Sequence, residues 1–146
     1  MMRVLRLLLL AGIAVAVLAL TACDRVTPGD RDTSLPPPIP GGVAVVIDEG
    51  DGAASLRVGQ TMAVTLSSNF DWQITTLPDH LELLETKRGP TDTSQRDGGA
   101  TGGAMWFVFH LKAVGPGEGD LVLVEAPEWE PERQLQTFVI PVQVEP

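Results

Sequence analysis

From residue 41 onward, apolar and polar residues alternate in short runs broken by Gly, Pro, Asp and Asn. Alternation of period two places successive side chains on opposite faces of a β-strand. The first run is Val43 to Asp48. Leu56 and Val58 follow, with a turn at Gly59. Met62, Val64 and Leu66 then share one face, and Trp72 and Ile74 mark a third strand. Leu81 to Glu85 reads as a fourth. The longest run, Met105 to Val114, puts Met105, Phe107, Phe109, Leu111 and Ala113 on a core face, with Trp106, Val108, His110 and Lys112 opposite. Leu121 and Leu123 belong to the next strand. Phe138, Ile140, Val142 and Val144 alternate in the last, where Pro141 lacks a ladder donor and places the strand at an edge at that point. No stretch shows a helical apolar period of useful length. About seven short antiparallel strands in roughly a hundred residues predict an all-β domain, a β-sandwich of immunoglobulin-like architecture, over residues 41–146. Periodicity alone also leaves a small barrel open.

The front of the chain follows a different pattern. Arg3 and Arg6 precede an uncharged apolar run of 14 residues, Leu7 to Leu20, which ends in Leu20-Thr21-Ala22-Cys23. A positive start, an apolar stretch and small residues make an export signal. The run is shorter than the roughly 20 residues a spanning helix needs. Leu-Thr-Ala-Cys resembles the lipobox of bacterial lipoproteins. That resemblance implies a signal peptide over residues 1–22, lipid on Cys23 and a place in the cell envelope, on the periplasmic face if the cell is Gram-negative. Asp24, next to the cysteine, favours the inner membrane in some such lipoproteins. Cys23 is the only cysteine, and lipidation accounts for it, whereas an intermolecular disulfide is the alternative. Residues 23–40 read as a lipidated cysteine and a Pro-rich tether. The segment Leu35-Pro36-Pro37-Pro38-Ile39-Pro40 favours an extended spacer, or else a recognition ligand.

Charge narrows the partners. All 19 acidic residues follow Cys23 and two of the 10 basic residues precede it, so the formal net charge moves from −9 for the precursor to −11 for the exported chain. Nucleic-acid binding requires clustered Lys and Arg, so no nucleic-acid partner is expected. The two histidines, His80 and His110, have no metal-ligand partner at a recognisable spacing. Neither a metal site, a cofactor nor an enzymatic activity is expected.

Two connections stand out. Asp97-Gly98-Gly99-Ala100-Thr101-Gly102-Gly103-Ala104 lacks the Lys-Ser/Thr ending of a phosphate loop, and a strand follows it. It reads as a flexible loop or as one whose bare backbone approaches another surface. In Glu125-Ala126-Pro127-Glu128-Trp129-Glu130-Pro131, the tryptophan either caps the core or anchors an interface.

Several segments, taken in order, resemble the chagasin family of cysteine protease inhibitors. They are Gly102-Gly103-Ala104 leading into Met105-Trp106-Phe107-Val108-Phe109, then Pro116-Gly117, Pro127 with Trp129-Glu130, and Phe138-Val139-Ile140-Pro141-Val142. Val58-Gly59-Gln60, Leu66, Asn69, Trp72, Pro78 and Leu81-Glu82-Leu83 agree in the first half. The resemblance covers about residues 43–145. It implies an immunoglobulin-like sandwich acting as a monomer, with three loops at one end inserted into the active-site cleft of a papain-like cysteine protease. The contacting residues would be Asn69, Phe70 and Asp71 in the first loop, Gly102, Gly103 and Ala104 in the second, and Pro127, Glu128 and Trp129 in the third. Two places depart from the family pattern. The first loop lacks the Thr-Thr-Gly core, and the third has Glu128 and no arginine before its tryptophan. A non-inhibitory envelope binding protein on the same fold is the alternative.

Overall fold

Alternating burial is what makes these residues strands, and it recurs in every long element of the computed structural model, which describes residues 34–98 and 102–146. The expected signal peptide 1–22, the expected lipidation site Cys23 and the first part of the expected tether, 24–33, lie outside the described residues. Among the described residues eight strands form: β1 (Val45–Ile47), β2 (Ala54–Arg57), β3 (Thr61–Ser68), β4 (Asp71–Thr76), β5 (Leu81–Pro90), β6 (Met105–Ala113), β7 (Gly117–Ala126) and β8 (Gln136–Glu145). One short helix, α1 (Thr93–Arg96), precedes β6. The strands make two four-stranded sheets, ordered β1-β3-β6-β5 and β2-β8-β7-β4.

The two inner faces meet in one core. Met62, Val64, Leu66, Phe107, Phe109, Leu111 and Ala113 of the first sheet pack against Leu56, Trp72, Leu121, Leu123, Ile140, Val142 and Val144 of the second. Every side chain of this cluster lies between Ile47 and Val144, so the domain carries its own core. Burying each large aliphatic side chain stabilises by roughly 1.5–3 kcal/mol. Among the described residues none of the buried side chains is polar or charged.

Several expectations change in detail. The strands are eight, and they are not all antiparallel. β1 runs parallel to β3, and β2 parallel to β8. Alternation fixes which face a residue takes but not the direction of its neighbour. The fourth strand extends past Glu85 to Pro90 along β6, with a bulge between Leu83 and Glu85. In the fold, Gly89 lies under the Trp106 indole, and a Cβ there would meet that ring at 2.4 Å. β8 is interior, between β2 and β7, and not an edge strand as a whole. β2 pairs only with Val142–Glu145, however, so Pro141 sits just beyond that pairing, where a missing donor costs nothing.

The Pro-rich segment lies on the first sheet. The Leu35 amide donates to the Thr91 carbonyl at 2.6 Å, and Ser34 bridges Asp92. At the other end the Ala44 amide donates to the Thr61 carbonyl at 2.8 Å. The segment therefore crosses from the end of β5 to the start of β3 over the outer face. Ala63 and Val108 point to that face and are only 0% and 1% exposed. The packed unit thus begins before residue 41.

Candidate functional site

Strand register brings three connections to one end of the sandwich. Ser68 at the end of β3 pairs with Met105 at the start of β6, and Asp71 at the start of β4 pairs with Ala126 at the end of β7. The turn Asn69–Phe70, the segment before Met105 and the segment after Ala126 are therefore neighbours. Among the described residues they draw together all nine positions expected to contact a protease.

The first loop is a tight crossing between sheets. The Phe70 amide donates to Ser68 Oγ at 2.8 Å, and the Ser68 hydroxyl donates to Glu125 Oε1 on β7. Asn69 is exposed at the tip. Asp71 is occupied: Arg88 Nη1 donates to its two carboxylate oxygens at 2.9 and 3.2 Å. This pair ties the edge strands β4 and β5 together at the loop end. It is partly exposed, so it contributes at most about 1 kcal/mol.

The third loop is folded by its own backbone. The Glu130 amide donates to Pro127, the Arg133 amide to Glu130 and the Leu135 amide to Glu125. Pro127 is buried, which suits a shaping role more than contact, whereas Glu128 is exposed. Trp129 is 75% exposed, so it does not cap the core. Its ring meets Phe70 edge-on at 6.1 Å and 66°. An aromatic ring held this way presents a large rigid contact area. Glu128, Glu130 and Glu132 surround it, and Arg133 pairs with Glu130 at 3.4 Å.

The second loop rests on α1. Asp92 caps the helix, accepting from the Gln95 amide at 2.9 Å and the Ser94 hydroxyl at 2.6 Å. The Ser94 hydroxyl, and after it the Gln95 amide, hold the Asp92 carboxyl below its ordinary value of 3.8. The Gln95 side chain then spans the connection. Its Oε1 accepts from the Thr91 amide at 3.2 Å, and its Nε2 donates to the Gly102 carbonyl at 3.2 Å. Gly103 has φ +129°, and a Cβ there would overlap the Gln95 amide. The positive φ thus favours glycine here whatever surface the loop meets outside, and a side chain would also have to displace the Gln95 amide. The Ala104 carbonyl is taken by the Thr91 hydroxyl at 2.9 Å. A concavity of about 440 Å³ opens between Pro90, Gln95, Arg96, Gly102, Gly103 and Met105.

Ser68, Arg88, Thr91, Gln95 and Glu125 were not singled out in the sequence, yet they hold the loops. Only Asp92-Thr93-Ser94-Gln95 carried a legible signal, an N-cap residue followed three positions later by Gln. His80 lies at the opposite end, against Gly117 and Gly119, and His110 lies on the outer face of the first sheet. Among the described residues no group of three His, Cys, Asp or Glu side chains is placed to hold a metal, and no helix is long and apolar enough to cross a membrane. Among the described residues, the arrangement offers loops gathered at one end of the sandwich and held by internal hydrogen bonds.

Comparisons with known proteins bear on this end of the molecule. The family model described as Chagasin family peptidase inhibitor I42 matches residues 55–142. The structure of the cysteine protease inhibitor EhICP2 from Entamoeba histolytica is similar, with a TM-score of 0.55, 16% identity, and coverage of 69% of this chain and 96% of that one. The solution structure of Amebosin is similar with a TM-score of 0.52 and 20% identity, covering 69% of this chain and 97% of its own. These two likenesses establish the fold. No curated protein sequence matches the chain.

Proposed function

The chain belongs to the chagasin family of peptidase inhibitors, and from that premise we propose that it inhibits papain-like cysteine proteases by inserting its three-loop end into their active-site cleft. The observation that carries this reading is the convergence of the Asn69, Gly102 and Trp129 loops at one end of a sandwich with a single buried core. Loops already held by Ser68, Gln95 and Phe70 lose little freedom on binding, so more of the contact energy appears as affinity. Trp129 supplies the area of an interface anchor. The chain acts as a plug, and no bond is made or broken in it. EhICP2, whose fold it shares, is itself a cysteine protease inhibitor.

The proposed setting is the cell envelope, with a lipid on Cys23 holding the domain at a membrane. Two acyl chains or more make such anchoring stable, at roughly 0.8 kcal/mol per buried methylene. The acidic surroundings of Trp129 suit a protease whose cleft rim is basic, and complementary charge raises the rate of encounter.

The test is titration of papain and related enzymes with the unlipidated chain beginning at residue 24. Competitive inhibition at micromolar concentration or below is expected. Absence of inhibition across several such enzymes would refute the proposal. One observation favours a second reading, a non-inhibitory binding protein on the same fold. Only Asn69 and Phe70 separate β3 from β4, so the first loop projects little. Recovery of a non-protease partner through the Trp129 end would favour that reading.

A further inference from the structure

The Pro-rich segment is read in sequence as a spacer, yet its last residues lie on the domain next to the second loop. Leu35, Pro37 and Pro40 are half-buried, while Ser34, Pro36, Pro38 and Ile39 are exposed. This alternation belongs to a chain lying on a surface and not to a free linker. Leu35 and Pro37 line a groove of about 300 Å³ together with Trp106, Thr91, Leu66 and Glu49. The groove forms because β1 ends at Ile47 while β3 continues to Ser68. The upper part of β3 therefore has no neighbouring strand there, and Glu49 Oε1 accepts the Ser67 amide at 2.8 Å in its place.

The contacts at Thr91 connect this strap to the loop. Leu35 donates to the Thr91 carbonyl, and Ser34 bridges Asp92. Thr91 donates through both its amide and its hydroxyl to the Ala104 carbonyl, at 3.3 and 2.9 Å. Asp92 caps the helix whose Gln95 holds Gly102. Thr91 and Asp92 are thus held on one side by the strap and hold the second loop on the other.

We propose that Ser34–Pro40 is a brace of the inhibitory end, a positioning element that fixes the base of the second loop through Thr91 and Asp92. As a consequence, Ser34, the first described residue, lies beside the base of the second loop. The brace rests on the inhibition reading only for its purpose; its mechanical part stands by itself.

The test uses the chain beginning at residue 24. Leu35→Pro removes the amide donor to Thr91, and Leu35→Ala keeps it. Hydrogen exchange of the Thr91 and Gln95 amides is measured, together with affinity for papain. Loss of one hydrogen bond corresponds to about three- to tenfold. Leu35→Pro is expected to speed exchange at both amides by that factor and to weaken papain binding by a similar one. Leu35→Ala should leave the Thr91 exchange rate within about twofold. A chain beginning at residue 41 serves as the second variant and should show the larger effect at the same amides. Unchanged exchange at Thr91 and Gln95 in both Leu35→Pro and the shortened chain would overturn the brace. If the parent chain inhibits neither papain nor several related enzymes, the inhibition reading fails while the exchange measurement still decides the brace.

Discussion

Trp129 gains its position from a chain of contacts that leads back into the sandwich. Phe70 meets its ring, Ser68 holds the Phe70 amide, and Glu125 holds Ser68. The last of these contacts joins β3 of one sheet to β7 of the other, so the tryptophan is fixed by the sandwich and not by its own loop alone. Truncating such an anchor removes contact area without disturbing the core. Trp129→Ala is expected to weaken protease binding by at least about 2 kcal/mol, roughly thirtyfold, with an unchanged melting temperature. Inhibition constants measured beside thermal unfolding check this. Gly103 is a poorer probe, because any side chain there displaces Gln95 before it meets a protease.

At the scale of elements, the legible and the illegible divide on physical lines. The inner faces of β3, β6, β7 and β8 were readable because burial on one side of a sheet enforces alternation. The second half of β5 was not, because Thr86, Lys87 and Arg88 are exposed and Gly89 serves the Trp106 ring. Charged residues on an edge strand guard against unwanted pairing, and they hide the strand from a hydrophobic pattern. In the candidate site, the glycines and the tryptophan were visible as types. Apart from the helix cap at Asp92–Gln95 their holders were not, since contacts such as Ser68 to Glu125 join residues far apart in the chain. The α1 cap has a pH signature. Asp92 titrates below its ordinary value in the folded chain, so the stability it adds is fully present above pH 3.8. That stability is lost as pH falls through the lower folded value. Protection of the Gln95 amide, its exchange rate taken relative to the intrinsic rate at each pH, should therefore show a fall between pH 4 and the strongly acidic range, a rise in relative exchange. Asp92→Asn, which still caps, should abolish that rise, as amide exchange followed across this range would reveal.

At the scale of the whole molecule, the strap changes what the tether can do. With the proposed lipid on Cys23, the stretch before Ser34 reaches at most roughly 40 Å when fully extended. Ser34, the first described residue, lies beside the base of the second loop. A net charge of −11 after Cys23 adds repulsion from anionic lipid headgroups and attraction to a basic cleft rim. The central claim remains that the loop end occupies a protease cleft. It is tested most directly by measuring binding of the chain to papain whose active site is already filled by a covalent small-molecule inhibitor, beside the free enzyme. The account predicts micromolar or tighter binding to free papain and at least a hundredfold loss on the filled enzyme. Equal binding to both forms would contradict it.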